Sequence, residues 1–322
     1  MALDFLRDLI QTELSATDQF IIQQLQSEIP LINQMVEYIL NCGGKRIRPM
    51  VLLLSAKALQ QDNEHPICLA AVIELIHTAT LLHDDVVDNS SLRRGHKTAN
   101  SVWGNDASVL VGDFLYSRAF QIVVNLRQQT VLELFASATH YIAEGEILQL
   151  VHAHSPDTSE AIYFDVIQRK TAKLFELAAE LGGVVGNSSE EQIAMMRNYG
   201  MDLGLAYQLI DDALDYSHAN GQTGKNLGND LAEGKTTLPM IHALRKGSPS
   251  EVKLLREAIQ NGSTTELDSI LEIIESTGAI EYTAQVAKQY AQKASAVLTA
   301  ILPSPYRTGL QDLARFVVER SY

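Results

Sequence analysis

Two short stretches of this sequence concentrate carboxylates in the same pattern, His83-Asp84-Asp85-Val86-Val87-Asp88 and Ile210-Asp211-Asp212-Ala213-Leu214-Asp215. Each has the form Asp-Asp-x-x-Asp and closes an apolar run, ATLLHDDVVD and AYQLIDDALD. On a helix, residues four apart share a face, so Asp84 stands with Asp88 and Asp211 with Asp215. Like charges at that spacing repel, and the last turn of a helix is the unfavourable end for an anion. One such cluster reads as a solvated helix end. Two of the same form, each emerging from an apolar helix, read as a site. Hard oxygen donors suit Mg²⁺, which is held by one or two carboxylates together with phosphate oxygens of a substrate. Two clusters facing each other make a multi-metal clamp for a phosphorylated group.

Cations accompany the carboxylates. Gly43-Gly44-Lys45-Arg46-Ile47-Arg48-Pro49 pairs a flexible double glycine with Lys45 and Arg48 at a helix start. Helix N-termini favour anions, and Arg makes bidentate phosphate contacts. Basic residues at a helix start are common on surfaces, so this segment has weight only beside the aspartates. Arg93, Arg94, His96 and Lys97 follow the first cluster, and Lys225 and Lys235 follow the second. His77 lies two turns before Asp84 on the same face, a place where core histidines are common. Lys170-Thr171 and Gln208 interrupt apolar helices, and Gln208 precedes Asp211 by three residues on its face.

The elements that must position these residues are helices. Apolar residues recur at three and four throughout. The periodicity predicts helices over roughly 18–41, 49–60, 66–88, 106–128, 130–152, 160–185, 190–216, 235–246, 251–261, 265–276, 279–301 and 306–320. Many are apolar around most of their circumference, which places them inside a large bundle. No strand-type alternation bounded by hairpin turns stands out. Two long polar segments, 89–105 and 217–239, break the pattern directly after the aspartate clusters. Loops of that length inside a compact domain are usually functional.

Composition narrows the function. The chain has 322 residues, 39 Asp+Glu against 25 Lys+Arg, and a net charge of −14. That balance argues against nucleic-acid binding, which needs basic patches. An acidic protein with an anionic substrate requires divalent metal between the two. No composition break divides the chain, so one domain over 1–322 is expected. Cys42 and Cys68 have no metal-like spacing and form no disulfide framework, which favours a reducing cytoplasm. Residues 1–10 lack the basic and apolar regions of a signal peptide, and no apolar run approaches 18 residues, so no membrane span is expected.

Taken in order, GGKRIRP, LLHDDVVD followed by RRG, KTA, YQLIDDALD and GKNLGNDLAEGKTTLP resemble the trans-isoprenyl diphosphate synthases, or polyprenyl synthetases. The likeness runs from about Leu31 to the C-terminus and is strongest to bacterial members that make octaprenyl diphosphate. It implies an all-α bundle of about 12–13 mostly antiparallel helices around a deep central cavity, usually homodimeric. It implies that Asp84, Asp88 and Asp211 bind Mg²⁺, three ions per active site, bridged to an allylic diphosphate. Asp85, Asp212, Asp215, Lys170 and Lys225 join them as catalytic candidates. The resemblance also implies that Lys45, Arg48, His77 and Arg94 hold isopentenyl diphosphate. Arg93, Lys170, Thr171, Gln208, Lys225 and Lys235 would hold the diphosphate of the allylic substrate. The implied product is a long all-trans polyprenyl diphosphate for quinone side chains, built on farnesyl diphosphate and delivered to a membrane. Octaprenyl is expected, with nonaprenyl as the alternative.

Room beneath the metal site sets product length. Thr80 lies one turn below Asp84 on its face and is small. Ala79, beside it, and Phe135, a candidate floor, enter by resemblance alone. Helix 66–84 is about 27 Å long at 1.5 Å per residue, so a growing chain can run along it. Three rivals remain. A class I terpene cyclase shares the first motif but has no use for GGKRIRP, and its second motif differs. A metal-dependent phosphohydrolase would use the His83-Asp84 pair but needs further ligands. A non-catalytic partner subunit tends to lose an aspartate motif, and both are intact here.

Overall fold

The computed structural model describes residues 2–61, 63–186, 188–217 and 227–319. The chain forms α1 (Ala2–Leu9), α2 (Gln11–Gln24), α3 (Pro30–Asn41), α4 (Ile47–Ala58) and α5 (His65–Val87). A hairpin of β1 (Leu92–Arg93) and β2 (His96–Lys97) leads to α6 (Ala99–Trp103), α7 (Asn105–Asn125) and α8 (Gln129–His152). Next come α9 (Glu160–Ile167), a π-helical segment Gln168–Ala172, α10 (Lys173–Val184) and α11 (Glu190–Asp215). The last part holds α12 (Asn229–Ala232), α13 (Leu238–Lys246), α14 (Pro249–Asn261), α15 (Leu267–Ser276), α16 (Ala279–Val297) and α17 (Pro305–Val318). The fold is all-α, as the periodicity requires.

Local chemistry explains the boundaries. The helix expected over 18–41 is two, α2 and α3. Pro30 opens α3 and holds Ile29 in extended backbone (φ −92°, ψ 111°). The Asn33 side chain accepts from Ser27 N (3.1 Å) and donates to Ser27 O (2.8 Å), which fixes the break. Ser248 and Glu251 form a reciprocal capping box at the start of α14. The expectation of no hairpin fails at 92–97. Leu92 pairs with Lys97 and Arg93 with His96, around a two-residue turn whose Arg94 and Gly95 both have positive φ (53° and 79°). That geometry matches the twist of a hairpin, and strands of two residues are too short to show alternation. The other polar segment, 217–239, contains the short helix α12.

The described chain divides into two compact units. The first comprises Met1–Ala138, Leu174–Gly200 and Val297–Leu313. Its centre is α5, packed against α2, α4 and α7; Leu69 through Ile73 are fully buried there. The second comprises Thr139–Lys173, Met201–Ala296 and Ala314–Tyr322. One of its clusters gathers Tyr163, Ile167, Leu205, Leu209, Ile210 and Leu238. Another gathers Leu231, Met240, Leu255, Ile259, Ile270 and Ile274.

Among the described residues, α5 and α7 are long and apolar enough to cross a bilayer by length and composition. Uninterrupted apolar runs miss them, because each run carries an occasional polar residue. The apolar stretch of α5 is 61% buried within the protein and that of α7 39%.

Candidate active site

In the first unit, α5 ends in the first aspartate cluster, with Asp88 as its C-cap. Asp84 and Asp88 are half-buried, whereas Asp85 is 3% exposed. Arg93 on β1 donates to Asp85 Oδ1 from Nε (2.9 Å) and Nη2 (2.7 Å). Burial pushes the Asp85 carboxyl up; Arg93 opposes this, and Asp84 and Asp88 reinforce it. Asn100 Nδ2 donates to the Asp85 carbonyl at 3.1 Å, tying the polar segment back to the helix end. The cluster is therefore divided: its middle carboxylate is consumed internally, and its outer two stand closer to solvent.

The cationic segment lies in the same unit. Arg46 is the N-cap of α4 with φ 53°, and its guanidinium pairs with buried Glu74 and, at 3.4 Å, with Asp18. Arg48, in the first turn of α4, donates from Nη1 to His77 Nε2 at 3.1 Å. Its guanidinium also lies 4.5 Å from the Phe175 ring centroid. Burial, then the guanidinium groups of Arg48, Arg94, Arg93 and Arg46, push the His77 imidazole well below its ordinary range. Since arginine can only donate, the neutral ring accepts through Nε2. Arg94 donates from the hairpin turn to the Gly43 carbonyl. A Cβ on Gly44 would lie 2.7 Å from Arg94 Nη1, so a side chain there would push the guanidinium aside. Tyr38 Oη donates to Lys97 O at 2.7 Å and holds the hairpin from the other side. Lys45 is exposed beside this segment.

His83 is engaged away from the cluster. Its Nε2 lies 3.2 Å from Val109 O and 3.4 Å from Asp113 Oδ1, in space left by Gly112, where a Cβ would come within 2.3 Å of the ring. That placement disfavours a His-Asp metal pair. Below the cluster, Thr80 is half-buried and its Oγ1 donates to His77 O at 2.8 Å. Ala79 and Phe135 are fully buried.

In the second unit, α11 ends in the other cluster. Asp211 is half-buried, and Asp212 and Asp215 are buried. Asp212 accepts from Tyr163 Oη (2.5 Å) and Gln208 Nε2 (2.7 Å), and Gln208 Oε1 accepts from Thr171 Oγ1 (2.9 Å). Burial and then Asp230 push the Asp212 carboxyl well above its ordinary range, against the two hydrogen bonds. Asp215 Oδ2 accepts from Asp230 N at 3.0 Å, which fixes the start of α12.

A cavity of about 110 Å³ in this unit is lined by Lys170, Thr171, Gln208, Asp212, Asp230 and Lys235, among others. It brings together four of the residues expected to hold an allylic diphosphate. Lys170 pairs with Glu146 and Lys235 with Glu233. Lys225 lies outside the described residues. Among the described residues, no three His, Cys, Asp or Glu side chains gather closely enough to hold a metal ion. Within the two clusters, Asp84 and Asp88 in the first unit and Asp211 in the second are half-buried, hard oxygen donors of the kind a divalent ion takes.

Sequence reasoning missed several residues of this architecture. Glu74 is the one acid in the otherwise apolar run ICLAAVIELI, a signal that was present. Asp230 lies in the motif GKNLGNDLAEGKTTLP but was not singled out; Tyr163 and Phe175 carried no signal, because their partners come from distant segments.

The polyprenyl synthetase family model matches residues 29–276. The octaprenyl diphosphate synthase of Escherichia coli (strain K12) is 46% identical over 321 residues, covering 99% of each chain. The all-trans-nonaprenyl-diphosphate synthase (geranyl-diphosphate specific) of Rhodobacter capsulatus is 41% identical, again covering 99% of each. A crystal structure of polyprenyl synthase from Caulobacter crescentus CB15, complexed with calcium and isoprenyl diphosphate, matches with a TM-score of 0.95. It is 42% identical and covers 99% of this chain and 98% of that one. The chain belongs to the polyprenyl synthetase family and is a trans-prenyl diphosphate synthase. The likeness reaches further toward the N-terminus than the expected start near Leu31.

Proposed function

We propose that this enzyme adds isopentenyl diphosphate units head-to-tail to an allylic diphosphate, and that its main product is octaprenyl diphosphate for quinone side chains. One observation carries the assignment of roles. In each aspartate cluster the second carboxylate is buried and internally satisfied, by Arg93 at Asp85 and by Tyr163 and Gln208 at Asp212. Asp84, Asp88 and Asp211 stay half-buried. These three are the Mg²⁺ ligands; Asp85, Asp212 and Asp215 position them and shape the local field. Three Mg²⁺ ions, when bound, neutralise the charge that develops on the departing pyrophosphate.

The chain's own residues do the rest. Lys170, Lys225 and Lys235, with Thr171, Gln208 and Arg93, hold the allylic diphosphate and stabilise it as it leaves. Lys45, Arg48 and Arg94 hold isopentenyl diphosphate. Neutral His77 accepts from Arg48, which orients that guanidinium without adding charge of its own. The allylic cation is attacked by the isopentenyl double bond, a proton is lost, and the product is one isoprene unit longer. Water must be kept from the cation, which it would otherwise quench. Thr80 and Ala79 line the upper tunnel and Phe135 its floor.

The protein works as a homodimer in the cytoplasm and delivers its product to a membrane. Exposed Val109, Leu110 and Val124 on α7 supply an apolar face for the partner copy. The 46% identity to an octaprenyl synthase supports the chain length; the 41% identity to a nonaprenyl synthase favours the second reading, one unit longer.

The test is chromatography of the dephosphorylated product made by purified protein from farnesyl diphosphate, isopentenyl diphosphate and Mg²⁺. An eight-unit alcohol is expected and a nine-unit alcohol would establish the second reading. Failure of the isolated chain to elongate the primer would overturn both.

A further inference from the structure

Lys170 and Thr171 sit in a π-helical turn, Gln168–Ala172, between α9 and α10. A π turn carries one residue more than an α turn and re-aims the side chains that follow it, and such turns recur at functional sites. It is also less stable than α-helix, so something outside it must hold it. In the second unit that neighbour is α8. A Cβ on Gly145 would lie 2.6 Å from Arg169 Cβ and 2.8 Å from Lys170 N. The second contact is to backbone, which cannot swing aside as a long side chain can.

The residues flanking Gly145 complete the grip. Glu144 Oε2 accepts from Arg169 Nη1 at 2.7 Å, and Glu146 pairs with Lys170. Arg169 Nε also donates to Asp165 at 2.7 Å, one turn back. The Arg169 guanidinium lies 4.3 Å from the ring centroid of Tyr141 on α8. Arg169 is thus held on three sides, by Glu144, Asp165 and Tyr141, immediately before the lysine and threonine that line the cavity.

We infer that Gly145 and Arg169 are positioning residues for the allylic diphosphate: the bare backbone at Gly145 seats the π turn, and Arg169 locks it. The inference rests on the assignment of Lys170 and Thr171 to the allylic diphosphate made above. Neither Gly145 nor Arg169 touches the substrate. Both act by fixing where the Lys170 ammonium and the Thr171 hydroxyl stand.

The test uses steady-state kinetics of the full-length wild type, Gly145→Ala and Glu144→Gln, with each substrate varied in turn. The added methyl in Gly145→Ala must push the π turn outward. It should raise the allylic KM at least tenfold and lower kcat, while the isopentenyl KM stays within twofold. Glu144→Gln adds no bulk and weakens the hold on Arg169; it also weakens an exposed pair with His140 on the same helix. It should shift the allylic KM in the same direction by two- to fivefold, which keeps the idea testable should Gly145→Ala fold poorly. Arg169→Lys, which keeps the charge but loses the fork and the stacking, should fall between wild type and Arg169→Ala. Folded variants whose two KM values rise together, or do not move, would overturn the inference. A wild type that makes no prenyl product would instead refute the functional reading beneath it.

Discussion

His77 offers a direct check on the cationic half of the site. It is pressed by Arg48, Arg94, Arg93 and Arg46, and burial adds to their effect, so the native ring stays neutral well below its ordinary value near 6.5. The unfolded chain takes up a proton there below that pH and the native state does not. Stability therefore falls as pH drops through this window, by at most about 1.4 kcal/mol per pH unit. At pH 5.5 the native state is penalised by about 1.4 kcal/mol relative to pH 7.5. For a chain of 322 residues, at about 2.1 cal/mol/K of unfolding entropy per residue, this moves Tm by about 2 °C. His77→Gln keeps an acceptor for Arg48 Nη1 but cannot be protonated. Thermal melts of both proteins from pH 7.5 to 5.5 isolate the effect, because every other titrating group is common to the two. The variant should gain about 2 °C on the wild type across that range. A difference that stays flat with pH would show that His77 is not held neutral, and the account of how Arg48 is oriented would fail with it.

Three further expectations concern the proposed chemistry. Asp84→Ala and Asp211→Ala should lower turnover by orders of magnitude with little change in Tm, because half-buried carboxylates at helix ends add little stability; near-normal turnover at saturating Mg²⁺ would count against the metal assignment. Arg48→Ala should raise the isopentenyl KM about tenfold or more, for about 1.5–3 kcal/mol of lost charge-assisted bonding, and leave the allylic KM nearly unchanged; equal rises would argue against two separate anion sites. Thr80→Phe should shorten the product to about fifteen or twenty carbons with little loss of stability, since Thr80 is half-buried. Ala79→Tyr, at a fully buried position, should also shorten the product but cost about 1–3 kcal/mol from overpacking; Phe135→Ala should lengthen it and cost about 3–5 kcal/mol. Reversed-phase product ladders and melts read all three, and unchanged products from folded Thr80→Phe and Ala79→Tyr would remove the tunnel from α5.

The sequence by itself determined the helical character, the position of most helices and the identity of the two aspartate clusters. Each of these is a local property, carried by spacing of three and four or by a contiguous motif. It also marked Arg48, His77, Lys170, Thr171 and Gln208 as polar residues in apolar surroundings. Only the tertiary structure separated the carboxylates within each cluster. Asp85 and Asp212 are buried because Arg93, Tyr163 and Gln208 arrive to satisfy them, and a carboxylate's fate depends on which partner the fold supplies. The same holds for Arg46, which resembles its neighbours Lys45 and Arg48 in sequence but is taken up by Glu74 from another helix. The π turn at Gln168–Ala172 left no periodic signature, since a single inserted residue shifts the helical period by only one position. α8 approaches it closely at Gly145, and a close contact between two helices is written in neither helix alone.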